Sequence, residues 1–376
     1  MKKTLYKIHK WVGLSLGVLL LLQAVTGLMM AHKNGLRSLF EKGAGIDASL
    51  PHVPLDHIVG AITTALPEYR LERLVYAEDP SLPLIARVFP NGGGKFHVVT
   101  VDPTDGEIIS SGSLWESPLQ LAERIHVSLL SGDLGHNILL LEAIALVFMA
   151  VSGLVVWWPR KGKFAKALIV HWRAPSIILL RDLHLVPGAL TAILMFLAGL
   201  TGALIIADPL VKPVVAAVAP VNPEIRLQLA DLEQPETELS WQEALDRLKE
   251  RLPDGRLRQL RFWGGEGRVL AAVMVAEDAF NPRAHHIAAV DRWTDDVMVF
   301  ADGNALPAGD AFLEWLLPLH TGEAFGPLRP VLMTILGFSL AGMSITGLWL
   351  WIKKRPRSRK KVVPMAMANV PRSKAD

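Results

Sequence analysis

Four long apolar runs punctuate the chain: Trp11–Ala31, Ile138–Trp158, Leu185–Ala207 and Pro330–Ile352. A helix needs roughly 20 apolar residues to cross the hydrocarbon core of a bilayer, so each run predicts a transmembrane helix. Between the runs the period changes. "LDHIVGAITTAL" (55–66) has the spacing of a short amphipathic helix. Alternating, strand-like runs follow at 70–77, 83–90 and 95–101, and "TVDPTDGEII" (100–109) carries Asp-Gly turn chemistry into a last strand. The same succession returns later in the chain. "SWQEALDRLKERL" (240–252) predicts a helix, strands are predicted at 257–263, 268–276 and 284–290, and "AVDRWTDDVMVF" (289–300) stands for the turn and last strand. The predicted fold class is an integral membrane protein with four transmembrane α-helices and two extracytoplasmic α+β modules.

The pattern predicts a first transmembrane helix in 1–32 and a first outer module in 33–118. An interfacial segment and the second span take 119–158, a cytoplasmic loop 159–183 and the third span 184–207. A linker with the second module takes 208–310, an interfacial segment with the fourth span 311–352, and a basic tail 353–376. The first run ends in "MMAHKNG" with no small-residue cleavage site, so it is expected to be retained as a helix rather than removed as a signal peptide.

The spans also carry matched chemistry. Each holds a small pair: Thr26-Gly27, Ser152-Gly153, Thr201-Gly202 and Thr346-Gly347. Small residues in a membrane helix admit a close neighbour or a flat cofactor. His9 precedes Gly27 by 18 residues, and His184 precedes Gly202 by 18. His126 precedes Gly153 by 27 residues, and His320 precedes Gly347 by 27. The chain therefore reads as two copies of span, outer module, span. Both copies start on the same side, which makes them parallel repeats about an axis along the membrane normal. The Pro-rich "DPLVKPVVAAVAPVNPE" (208–224) reads as linker inserted in the second copy.

Composition agrees with a membrane protein: 51% of residues are hydrophobic and 20% are charged, with a formal net charge of +3. About half of the 39 basic residues fall in residues 1–10, in the 159–183 loop and after Ile352. The positive-inside rule then puts both termini and that loop in the cytoplasm, and the two modules in the periplasm of an inner-membrane protein. The basic charge is juxtamembrane, so a nucleic-acid partner is not implied.

There is no cysteine, which excludes disulfides, iron–sulfur ligation, thiol catalysis and covalent c-type haem. An axis between two copies would bring His9 towards His184 on the cytoplasmic side and His126 towards His320 on the outer side. Two imidazoles facing each other suit the iron of a non-covalent haem b, so two haems are expected, one near each face. His32 and His136 have no mate in the other copy and are second choices for the outer site. Glu142 is the acid well inside a span, readable as a proton relay, as a partner to an outer haem ligand, or as a plain hydrogen-bond partner of Gln23 or of backbone. Trp11, Trp157, Trp158, Trp349 and Trp351 read as an interfacial aromatic belt.

The motifs "HKWVGL", "RIHVSLLSGDLG", "SGLVVWWPR", "VDPTDGEII" and "PLHTGEAFG" resemble the PepSY-associated transmembrane proteins, over nearly all of residues 1–355. Within them the chain looks most like bacterial inner-membrane ferric-siderophore reductases of the ferrioxamine-reducing type. The resemblance implies four spans, two haems, two periplasmic PepSY modules, and His9, His184, His126 and His320 as axial ligands. The second turn, "VDRWTDD", departs from the first by lacking its Pro and Gly. The expected activity is transmembrane electron transfer to ferric siderophore with release of ferrous iron, fed by a cytoplasmic or quinol donor. The alternatives are a haem conduit to a quinone or periplasmic redox partner, or a non-enzymatic PepSY transport or regulatory protein.

Overall fold

The computed structural model describes residues 2–40, 46–222, 229, 235, 238–252, 255–264, 267–276 and 281–354. Most of the basic tail expected at 353–376, and the end of the expected 208–224 linker, lie outside the described residues.

Four helices are long and apolar enough to cross a membrane: α1 (Lys2–Ala31), α5 (Gly132–Trp157), α7 (Ser176–Ile206) and α11 (Arg329–Lys354). With their apolar flanks exposed to lipid, they make the chain a multi-pass membrane protein. At 1.5 Å per residue, the 30 residues of α1 reach about 45 Å, longer than the hydrocarbon core. α1 therefore begins well before its apolar run, and so does α7. His9 and His184 consequently sit two turns inside their helices, not at their mouths.

The four spans close into a ring, α1 against α5, α5 against α7, α7 against α11 and α11 against α1. Leu20, Ala24, Ala150, Met195 and Leu340 fill its centre, with every span contributing. Glycines let the backbones come close: a Cβ on Gly199 of α7 would lie 3.0 Å from the Ala143 carbonyl oxygen of α5.

Between α1 and α5 the chain forms α2 (Lys33–Phe40), α3 (Leu55–Ala65), β1 (Tyr69–Val75), β2 (Leu84–Pro90), β3 (His97–Val101), β4 (Ile108–Ser113), a short 3-10 turn and α4 (Pro118–Ser128). After α5, a short α6 (Phe164–Ala167) lies in the loop to α7. After α7 come α8 (Asp208–Ala216), α9 (Trp241–Arg251), β5 (Arg256–Trp263), β6 (Val269–Val275), β7 (His285–Asp291), β8 (Asp296–Ala301), α10 (Ala308–Thr321) and a 3-10 segment over Glu323–Leu328. The Pro-rich 208–224 stretch is thus helical over its first nine residues. Pro209 sits in the first turn, where its missing N–H costs nothing.

The two sequence modules are not separate bodies. β1 pairs antiparallel with β5 through Arg73–Arg261, Leu74–Leu260 and Val75–Gln259. Two four-stranded meanders thereby fuse into one eight-stranded antiparallel sheet of order β4-β3-β2-β1-β5-β6-β7-β8. Side chains alternate across the pleat. Leu84, Ala86 and Val88 join Leu74, Leu260, Leu270 and Val290 against Leu55, Ile58 and Ile62 of α3 and Ala244, Leu245 and Leu248 of α9. The intervening Ile85 and Val98 turn to the opposite face, with Leu114 and with Leu121 of α4. Helix α4 is thereby clamped between sheet and bundle. Arg87 of β2 also bonds Glu123 and Gln120 of α4 at 2.7 and 2.8 Å.

Candidate functional site

The four histidines singled out by spacing occupy equivalent local environments. His9 Nδ1 lies 2.8 Å from Ser152 Oγ, and His126 Nδ1 lies 3.0 Å from Thr26 Oγ1. His184 Nδ1 lies 3.1 Å from Thr346 Oγ1, and His320 Nδ1 lies 3.2 Å from Thr201 Oγ1 and 3.1 Å from the Ala198 carbonyl oxygen. Each hydroxyl belongs to one of the four small pairs, and the glycine of that pair lies under the ring. A Cβ on Gly27 would meet His126 Cε1 at 3.0 Å, and one on Gly153, Gly202 or Gly347 would meet its histidine at 3.1, 3.1 or 3.2 Å. The pair serves the histidine of the neighbouring element rather than the one that precedes it on its own span. Spacing along the chain carries no information about that exchange.

Two levels result. At one end of the bundle, His9 on α1 and His184 on α7 are anchored to α5 and α11. At the end that carries the sheet, His126 on α4 faces His320 on α10, with ring centroids 6.2 Å apart and planes inclined by 53°. Both short helices stop right after their histidine because the backbone turns left-handed. Leu129 and Leu130 have φ of 47° and 59°, and Gly322 has φ of 79°. Leu129-Leu130, just before "SGDLG", and the Gly322 of "TGEAFG" supply these stops.

A pair of opposed imidazoles each bonded through Nδ1 leaves two Nε2 atoms as ligand positions, the usual arrangement when a partner fixes a metal-binding ring. A metal–imidazole bond of about 2.0 Å with a ring radius of about 1.1 Å places opposed ring centroids about 6.2 Å apart. The outer pair has that centroid separation, and with Nδ1 anchored on both rings Nε2 is the remaining ligand atom of each, so these two residues are of the kind that could hold a haem. Among the described residues no group of three or more His, Cys, Asp or Glu side chains is placed to hold a bare metal ion. Beside the inner level, a lipid-facing slot of about 210 Å³ opens between α1 and α11, lined among others by Gly13, Gly17, Ser344 and Trp349.

Residues 6–354 match the PepSY-associated TM region family. The chain belongs to that family. No curated protein matches the chain closely enough to add a more specific relative. Family membership establishes a multi-pass protein of the PepSY type and leaves the chemistry to the site.

The other sequence candidates are placed differently. His32 Nε2 lies 2.9 Å from Thr334 Oγ1 of α11, and His136 is exposed on the first turns of α5. Glu142 is buried, and neither of its carboxylate oxygens has a hydrogen-bond partner; Gln23 Nε2 is likewise unpartnered, so neither the bond to Gln23 nor one to backbone is made. His285 and His286 point to opposite sides of β7: His286 Nδ1 accepts from the Gly303 N–H at 3.2 Å, while His285 lies 3.8 Å from Glu314. In the PepSY-type hairpins, Gly106 (φ 79°) and Asp295 (φ 60°) hold corresponding left-handed turn positions. The second turn keeps its shape without Gly because Asp tolerates that conformation.

Sequence reasoning missed two features. His171 bonds the buried Asp182 at 2.7 Å, tying the loop to α7. Several arginines and a lysine also converge between the sheet and the start of α11. Their positions come from four separate segments, so no local motif announces them.

Proposed function

We propose that the protein is a di-haem electron conduit of the inner membrane that reduces a ferric siderophore on the periplasmic side. The observation that carries this reading is the His126–His320 pair, two imidazoles 6.2 Å apart on short helices of different halves, each anchored through Nδ1. Bound between such pairs, haem b would supply a one-electron carrier suited to outer-sphere transfer rather than oxygen activation.

The chain's own residues do the rest. Thr26 and Thr201 orient the outer rings, and Ser152 and Thr346 orient the inner ones. The glycine beside each hydroxyl makes room for the ring. Low-dielectric helix packing around the two levels keeps water from the path between them. At the outer face Fe(III) in the chelate gains one electron and leaves as Fe(II), which hard oxygen donors hold far less tightly. The two halves act as parallel repeats. The mirrored strand order supports this, and so does the packing of Gly13 under Met149 beside that of Gly188 under Met343. The clustering of Lys and Arg in residues 1–10, 159–183 and after Ile352 supports cytoplasmic termini and a periplasmic sheet.

The test is a pyridine haemochrome count on purified protein, followed by stopped-flow mixing of dithionite-reduced protein with ferric siderophore. Two haems per chain and reoxidation with ferrous-iron release are expected. One haem or none would refute the stoichiometry, and two haems that are not reoxidised would refute the acceptor. A second reading, quinone exchange, is favoured by the lipid-facing slot one turn beyond His9. Oxidation of a water-insoluble quinol by the protein in nanodiscs would make the quinol the donor.

A further inference from the structure

Between the sheet and the membrane helices lies a cleft of about 210 Å³, lined by Glu78, Arg256, Arg258, Glu323 and Arg329 together with Val275, Pro282 and Gly326. Its charge is unbalanced. Arg283 clamps Glu323 through both carboxylate oxygens, one of them at 2.7 Å from Nη2, and Arg329 approaches the same carboxylate at 3.5 Å. Glu78 is occupied by the Asn34 amide at 3.0 Å. Lys33, Arg256 and Arg258 have no ion-pair partner among the described residues. Burial, with Arg283 next, pushes the Arg258 guanidinium down from its ordinary value. Burial also lowers the Lys33 ammonium, with Arg258 and Arg283 acting in the same sense against Glu123 and Glu78.

Among the described residues three arginines therefore line this cleft with two carboxylates, and Arg283 stands beside them already neutralising Glu323. Like charges held together in a partly desolvated cleft cost energy that an incoming anion recovers. Guanidinium groups pair carboxylates two-pronged, which selects planar oxyanions. The cleft also adjoins the outer pair: Glu323 follows His320 by three residues, a reach of at most about 11 Å along the backbone.

We infer that this cleft is the binding site of a small soluble polyanion bearing carboxylates, so that the iron chelate accepted at the outer face is anionic rather than cationic. The inference deepens the reductase reading and rests on it only for the iron. Binding itself is independent of electron transfer. An anionic lipid headgroup offers the same oxyanion chemistry, and the experiment separates the two sources.

The full chain is reconstituted in nanodiscs of neutral phosphatidylcholine, and binding of redox-inert gallium(III) citrate and of cationic gallium(III) desferrioxamine B is measured by equilibrium dialysis. Citrate chelate is expected to bind more tightly than the cationic chelate. Arg256→Gln/Arg258→Gln should weaken it at least tenfold without changing the cationic chelate. The exposed single change Arg256→Gln, with a thermal melt as a folding control, should give a smaller loss in the same direction. Equal binding of citrate chelate to wild type and double variant would overturn the assignment. Displacement of the chelate by phosphatidylglycerol in the discs would overturn it too, giving the cleft to lipid. Because no electron moves, failure here leaves the haem count and the reoxidation assay standing as separate tests.

Discussion

At the scale of single residues, a hydroxyl and a glycine do complementary work on each imidazole. The hydroxyl fixes which nitrogen is occupied, and the glycine fixes how near the ring can come. Removing the hydroxyl while keeping the shape isolates the first effect. Loss of an outer-shell partner of a ligating histidine typically costs about 10–100-fold in metal affinity, so Thr26→Val should lower outer-site haem affinity by about that factor. Haem titration into apo-protein, followed by Soret absorbance, reads it out. Unchanged affinity would mean that the 3.0 Å contact to His126 is idle. Gly27→Val tests the second effect. Alanine alone would place a Cβ 3.0 Å from His126 Cε1, and valine adds two methyls in the same space. Outer haem should be absent in that variant while the inner haem is retained. The histidines and the small pairs were both legible in the sequence, through equal spacings in two halves. Which pair serves which histidine was not, because that contact crosses between helices separated by about 100 residues or more.

At the scale of elements, the sheet is held at its hairpins as well as through its core. Asp291 at the end of β7 is buried and takes a fork from Arg268, with bonds of 2.6 and 3.0 Å, while its carboxylate also caps the Trp293 N–H at 2.9 Å. Breaking a buried pair by removing one partner costs about 3–5 kcal/mol. Asp291→Ala should therefore lower the melting temperature of the detergent-solubilised protein clearly, whereas a change at exposed Asp296 should not. Equal melts would place the fork's contribution near zero. The short helices α4 and α10 matter differently: they carry the outer histidines and stop at left-handed turns directly after them. His126→Ala or His320→Ala should remove the outer haem and ferric-chelate reduction while the inner haem stays reducible by dithionite. Full activity in both, with loss instead in His32→Ala or His136→Ala, would transfer the outer role to those residues. Strand positions were readable because alternation and Asp-Gly chemistry are local. The β1–β5 seam was not readable, since three residue pairs joining segments far apart in sequence leave no periodic mark in either. Helix α8 escaped for the opposite reason: its prolines at 209 and 213 look like linker, although a first-turn proline is compatible with a helix.

At the scale of the whole molecule, direction follows from charge, and charge can be tested independently of any cofactor. The spans place the sheet at one end of the bundle and the 159–175 loop at the other, and the basic residues concentrate near the loop end. Cytoplasmic loops carry the excess of Lys and Arg, so the sheet should lie in the periplasm. The absence of cysteine makes the experiment clean, because any thiol introduced is the sole thiol in the chain. Trp115, 58% exposed beside the end of β4, and Trp172, 70% exposed in the loop, mark the two ends. In spheroplasts a membrane-impermeant maleimide should label Trp115→Cys at once and Trp172→Cys only after lysis. The reverse pattern would turn the molecule over. The His126–His320 level and the arginine-lined cleft would then face the cytoplasm, where a ferric chelate held in the periplasm never meets them. Reduction outside would then fail on topology alone, whatever the haem content.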